Sequence, residues 1–196
     1  MFYLIIIAIS IIFVSAANIL FSIPVTLGEA GYTLLCVVIG AVAVFAIDGV
    51  FAFAIRRLTP KRWYAPDVRL FRVGKKERNL YRSLKIKSWK DKIPELGGFT
   101  SFHKDKLESH SDAAYLERFI IEANYGVVIH LANAVLGFLI MFIPFCSAPG
   151  IWIPIFAVNF ILSLLPVAVL RFTLYSLCNL YDRCKRKENK KRKETP

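Results

Sequence analysis

The sequence predicts an all-α integral membrane protein with four transmembrane helices and a cytoplasmic, interfacial amphipathic segment between the second and third. Three observations carry this expectation. Four apolar stretches of about 20 residues or more, enough to cross a hydrocarbon core of about 30 Å, hold almost no charge. The charges lie between and after them: 17 of the 26 Lys and Arg fall from Arg56 to Tyr125, and the other nine from Arg171 to Pro196. The chain is also 56% apolar yet carries a net charge of +12. That balance excludes an ordinary soluble domain and fits a protein of the cell membrane with basic cytoplasmic parts.

Phe2 to Val25 is the first expected span. It lacks a basic leading segment and its apolar run is too long for a signal peptide, so it reads as an anchor, with a cleaved leader as the other reading. Gly28-Glu29-Ala30-Gly31 reads as a turn, and Tyr32 to Ile55 as a second span interrupted by Asp48. Residues 1–55 are thus an N-terminal transmembrane hairpin. Arg56-Arg57 and Lys61-Arg62 follow, and the positive-inside bias places them in the cytoplasm, with Glu29 outside and Met1 inside.

Residues 56–122 form a basic cytoplasmic or interfacial segment. From Asp67 to Leu84 the pattern is too charged for a span and too rich in Leu, Phe and Tyr for a plain linker. It fits amphipathic pieces on a membrane surface or, equally, a solvated basic face. After Gly97-Gly98 a helix is expected to start at Ser111-Asp112 and to run into a third span, Tyr125 to Phe145, ending at Pro144 and the Ser147-Ala148-Pro149-Gly150 turn. Ile151 to Leu170 is the fourth span. Residues 123–170 then make a C-terminal transmembrane hairpin and residues 171–196 a polybasic tail, so both termini are expected in the cytoplasm.

The tail from Arg183 to Lys193 is a topology determinant and a contact for anionic membrane lipid, worth about 1 kcal/mol per basic residue near the surface. No recognition module accompanies that charge, so nucleic acid is not an expected partner. Cys36, Cys146, Cys178 and Cys184 lack zinc-site spacing and read as structural, with acylation of the last two as the alternative. No metal site, Gly-rich phosphate loop, G-x-S-x-G elbow or H-E-x-x-H motif is present. His103 and His110 also lack the acidic partner of an H-x-x-x-x-D box.

The chemistry concentrates on the third span. At 100° per residue, Glu122, Gly126, His130, Asn133 and Gly137 fall within an arc of about 80°. Small and polar residues on one face serve helix packing, whereas an intramembrane His also suits a general base near neutral pH. Both readings stand. Glu122 lies about 12 Å along the axis from His130, too far for a hydrogen bond, and is expected to meet Arg118 or another basic residue. Asn159, on the fourth span, reads first as a hydrogen-bonding link between helices. Asp48 and His130 lie at comparable depths, about 12 and 7.5 Å from their cytoplasmic ends, so Asp48 is expected either to orient the His130 ring or to snorkel alone or bond Ser or Asn on the first span.

A resemblance covers Lys87 to Arg171. Trp89-Lys90-Asp91-Lys92-Ile93-Pro94, Gly98-Phe99 with Phe102 and Lys104, Tyr115-Leu116-Glu117-Arg118-Phe119-Ile120-Ile121-Glu122, His130, and then Asn159, Pro166 and Arg171 are similar to the glycosyl-diaponeurosporenoate acyltransferases. These small membrane enzymes place a fatty acyl chain on the sugar of a glycosylated carotenoid. The chain departs from the family pattern at Tyr125-Gly126-Val127, where an acidic residue would stand close to the His.

The resemblance implies transfer of an acyl group from a thioester donor, acyl-CoA or an acyl carrier protein, to a hydroxyl of a lipid-linked acceptor, with no other cofactor and no metal. His130 is the candidate base, with Asp48 and Glu122 beside it in the catalytic set. Lys87, Lys92 and Lys104 would neutralise donor phosphates or the oxyanion, Trp89 would seat the segment at headgroup depth, and Asn159 and Arg171 complete the substrate-binding set. The competing reading is a non-enzymatic four-span protein that binds anionic lipid or a protein partner.

Overall fold

The structure, a computed structural model, describes residues 2–21, 26–90 and 112–194. All regular elements among them are helical: α1 (Phe2–Phe21), α2 (Leu27–Leu58), α3 (Lys75–Ser83), α4 (Ile86–Trp89), α5 (Ala113–Leu136) and α6 (Pro149–Glu194). Short 3₁₀ turns occupy Lys61–Tyr64, Arg69–Phe71, Gly137–Phe142 and Pro144–Cys146. The chain forms two compact units, one of Met1–Arg57 with Ile129–Leu165 and one of Leu58–Val128 with Pro166–Pro196, so α5 and α6 each contribute to both.

The first unit is built from α1, α2, the end of α5 and the start of α6. Its core joins Val14, Cys36, Val37, Val44, Ile140, Cys146, Ile151 and Ile155. Close approach depends on small residues: a Cβ on Gly40 would lie 2.7 Å from Ile155 Cδ1 and 3.3 Å from Cys146 Sγ. Asn18 ties α1 to the start of α6 by donating to the Gly150 carbonyl at 2.8 Å. Outward-facing side chains such as Ile9, Ile12, Phe13, Val42 and Phe53 are large, apolar and exposed, an arrangement that suits a lipid solvent and not water.

Three helical stretches are long and apolar enough to cross a bilayer: Leu27–Leu58, Ala113–Phe142 and Pro149–Lys190. α1, expected as a fourth span over Phe2 to Val25, is a 20-residue helix, about 30 Å long and so at the lower limit for crossing. Two boundaries differ from the sequence reading. Gly28-Glu29-Ala30-Gly31, read as a turn, is the opening of α2, because Thr26 and Glu29 form a reciprocal cap: Glu29 Oε2 accepts the Thr26 N–H at 2.8 Å and Thr26 Oγ1 accepts the Glu29 N–H at 3.2 Å. The fourth span, expected over Ile151 to Leu170, is also part of a longer helix that carries the basic tail, since α6 continues to Glu194. Between Leu170 and that residue stands neither Gly nor Pro to stop it.

The second unit is organised by α5 packing on the later part of α6. Leu116, Phe119, Ile120, Ala123 and Val127 recur on one face of α5, and Leu174, Leu177, Cys178, Tyr181 and Cys184 on the facing side of α6. The helical period of both sets is the reason they meet. All four cysteines are free and buried, which agrees with their structural reading. Asp112 caps α5 as the sequence predicts, its Oδ1 accepting the Ala114 N–H at 2.9 Å. The segment after α2 is held to α5 by Tyr64, whose ring stacks on Tyr125 at 3.8 Å between centroids and whose carbonyl accepts the buried Asn124 amide at 2.8 Å.

Candidate functional site

In the first unit a polar cluster gathers around Asn159 of α6. Its amide nitrogen donates to the Asn133 carbonyl of α5 at 3.0 Å, and its side chain lies beside the Asp48 carboxylate of α2. The Asn133 carbonyl is the acceptor that a continuing α-helix would give to the Gly137 N–H. The α-helix ends at Leu136 and a 3₁₀ turn starts at Gly137, and the Asn159 side chain comes up against the backbone at this junction. Only a glycine admits this: a Cβ at position 137 would lie 2.5 Å from the Asn159 amide nitrogen. So the expected third span, Tyr125 to Phe145, changes helix type part-way, at Gly137, where a side chain from another helix packs against it.

Asp48 was expected to meet His130, to snorkel, or to bond Ser or Asn of the first span; the side chain beside its carboxylate is instead Asn159 of α6. The sequence reading placed Asn159 in the substrate-binding set and Asp48 in the catalytic set, and the fold brings the two together. Asp48 Oδ1 and Asn133 Oδ1 are buried and receive no hydrogen bond among the described residues. Two buried acceptors left open are costly unless a donor arrives. Asn159 also lines a small groove of about 50 Å³, with an apolar wall that includes Val37, Val44, Ile155 and Leu162 and a further polar contribution from Ser10. His130 lies in the same unit, half-buried on α5.

The remaining predicted residues belong to the second unit. Glu122 is half-buried on α5, Lys87 is exposed on α4, and Trp89 is half-buried with its indole N–H donating to the Leu84 carbonyl at 3.0 Å. Lys92 and Lys104 lie outside the described residues. Arg171 is committed to the protein itself: its Nε donates to Glu77 Oε1 at 2.7 Å, its second terminal nitrogen to Glu77 Oε2 at 2.8 Å, and its first to the Phe71 carbonyl at 3.2 Å. Such a two-pronged pair fixes both groups. Arg171 thereby positions α3 and the turn before it.

Glu77 and Tyr81 are residues that sequence reasoning missed. They stand four apart on α3, a spacing that puts them on one face, and the Tyr81 hydroxyl donates to Glu77 Oε1 at 2.8 Å. Burial alone would raise the Glu77 carboxyl, but the hydrogen bonds from Arg171 and Tyr81 outweigh it and hold the group below its ordinary value. Burial and the neighbouring Glu77 push the Tyr81 hydroxyl up to about 12. A second pair, Arg72 with Asp182 at 2.8 and 3.1 Å, fastens the turn after Arg69–Phe71 to α6.

The model of the glycosyl-4,4'-diaponeurosporenoate acyltransferase family matches residues 60–183, more than half of the chain. The chain belongs to this family. Membership makes it one of the acyltransferases of carotenoid biosynthesis, and it bears out the resemblance drawn from Lys87 to Arg171 while extending the match toward both ends. No curated protein and no solved structure matches the chain. The matched range spans the positions of Lys87, Trp89, Lys92, Lys104, Glu122, His130, Asn159 and Arg171, together with Glu77 and Tyr81. Asp48 and all of α1 and α2 precede it. The approach of Asp48 and Asn159 therefore joins a residue inside the matched range to a helix that precedes it.

Proposed function

We propose that the chain is a membrane-embedded O-acyltransferase that moves a fatty acyl group from a thioester donor, acyl-CoA or acyl carrier protein, to a hydroxyl of a lipid-linked acceptor such as a glycosylated carotenoid. Family membership across residues 60–183 carries this reading. The polar cluster supports it chemically. Asp48 Oδ1 and Asn133 Oδ1 are buried acceptors that lack donors among the described residues, and a hydroxyl-rich acceptor supplies donors. The neighbouring apolar groove accepts part of an alkyl or polyene chain.

In the reaction, the acceptor oxygen attacks the thioester carbonyl carbon, the new C–O bond forms and the C–S bond breaks. His130 takes the hydroxyl proton as attack begins and returns it to the departing thiolate, which leaves as a thiol. Asp48, steadied by Asn159, accepts a hydrogen bond from the acceptor. Glu122 stays in the catalytic set, Lys87, Lys92, Lys104 and Trp89 serve the donor side and the membrane surface, and Arg171 positions α3. Both termini face the cytoplasm in this scheme, and the surrounding lipids hold the chains of both substrates.

Mass spectrometry of lipids extracted from cells that make the acceptor tests the reading. Acylated product should appear with the protein and fall about a hundredfold or more in His130→Ala, the lower end of what a general base contributes. Asp48→Asn should reduce it less. Unchanged product in both variants, at equal protein levels, would overturn the assignment.

A further inference from the structure

We infer that the second unit carries a binding pocket for clustered phosphate groups, formed where α3 turns into α4. The pocket, of about 280 Å³, is lined by Arg78, Arg82, Lys85 and Lys87, with Phe172 and Ser176 of α6 on the opposite wall. This inference rests on the acyl-transfer reading for its physiological ligand, though not for the existence of the site.

Four cations converge here because of one backbone feature. Lys85 adopts the left-handed conformation, φ 52° and ψ 36°, and it is the one non-glycine residue with positive φ among those described. A side chain bearing a Cβ is disfavoured there, and such strain persists where surrounding contacts impose it. The contacts are visible. Ile86 is fully buried and anchors the turn. The Lys85 carbonyl accepts the Ser88 N–H at 2.9 Å and the Ser88 hydroxyl at 2.7 Å, and Trp89 donates to the Leu84 carbonyl. Reversing the chain at Lys85 brings Lys87 into the pocket wall with Arg78 and Arg82.

The cluster is also left without internal compensation. Arg82, Lys85 and Lys87 have no carboxylate partner among the described residues, although acids stand nearby in the fold. Glu77, next to Arg78 in sequence, is taken by Arg171 and Tyr81. Asp182 is taken by Arg72, and Glu117 accepts from Tyr181. Arg78 instead rests its guanidinium 4.2 Å over the Tyr175 ring, a contact that holds its orientation while leaving its charge unmatched. Like charges kept together at such a turn repel one another, and a multiply charged anion relieves that repulsion. Two arginines offer paired donors to phosphate oxygens, two lysines add point charges, and the Ser176 hydroxyl adds a further donor.

The shared chemistry is phosphate, and it has two sources: the nucleotide end of a CoA thioester or the headgroup of an anionic lipid. Purified full-length protein in phosphatidylcholine nanodiscs separates them, with Trp fluorescence and calorimetry as readouts for added CoA. A parallel series replaces part of the phosphatidylcholine in vesicles by phosphatidylglycerol. Each basic residue contributes about a factor of five to attraction of an anion at such a surface. The double variant Arg82→Gln with Lys87→Gln should therefore weaken binding of the recognised ligand about thirtyfold, with an unchanged unfolding temperature. Loss for CoA alone assigns the pocket to the donor, and loss for phosphatidylglycerol alone assigns it to lipid. If neither ligand binds the wild-type protein, or the double variant binds both as the wild type does, the pocket is not a phosphate site. Because the readout is binding, absence of acyl transfer with intact CoA binding would refute the enzymatic reading and leave the pocket standing.

Discussion

Replacing Glu77 by Gln removes the carboxylate that Arg171 grips with two hydrogen bonds at 2.7 and 2.8 Å. Breaking a fully buried pair costs about 3–5 kcal/mol. Here the side chains retain 15% and 28% of their exposure, so water screens the loss. Arg171 also keeps its bond to the Phe71 carbonyl. The expected cost is about 2 kcal/mol, in the range for hydrogen bonds to charged groups, or about 4–8 °C in the unfolding temperature of a chain this size. The substitution should also change the acid dependence. A carboxyl held below its ordinary value contributes stability that is fully present above about pH 4.3 and lost as the pH falls through the folded-state value. Arg171 stays protonated throughout. Wild type should lose stability on acidification below about pH 4.3 more steeply than Glu77→Gln, which has no carboxyl there to protonate. Thermal unfolding in nanodiscs from pH 3 to 7 measures both effects. Equal unfolding temperatures at neutral pH and parallel acid profiles would refute the role given to this pair.

Gly137→Ala should destabilise the first unit by about 1–3 kcal/mol, the usual penalty for overpacking, because the added methyl meets the Asn159 amide; thermal unfolding checks it, and Asn159→Ala in the same background should recover part of the loss. For topology, single cysteines at Glu29 and Pro149, with the four native cysteines replaced, should react with an impermeant reagent on intact cells. Cysteines at Lys61, Lys104 and Lys190 should react only after permeabilisation, and outside labelling at position 104 would overturn the orientation.

The regular elements were largely legible because their signals are local. Apolar length marks α2, α5 and α6, and the Asp112 cap fixes where α5 begins. What escaped depended on partners distant in the chain. The close packing of Asn159 on the end of α5 is one case, a neighbour whose approach no pattern around Gly137 announces. The start of α2 was misplaced for a different reason. Two glycines suggested a turn, while the Thr26 and Glu29 cap, readable in the sequence, outweighs them.

The sequence by itself determined an all-helical chain with membrane-length apolar stretches, a segregated positive charge, and the acyltransferase resemblance, since composition, period and motif each need only the order of residues. The tertiary structure decided which charges are used up and which stay available. Arg171 and Lys87 are both basic residues in the resembling region, yet one is held by Glu77, 94 positions away, while the other lines a pocket with unmatched cations. It likewise decided that Asp48 meets Asn159. Hydrogen bonds act over a few ångströms of space, and only the folded chain sets which residues lie that close.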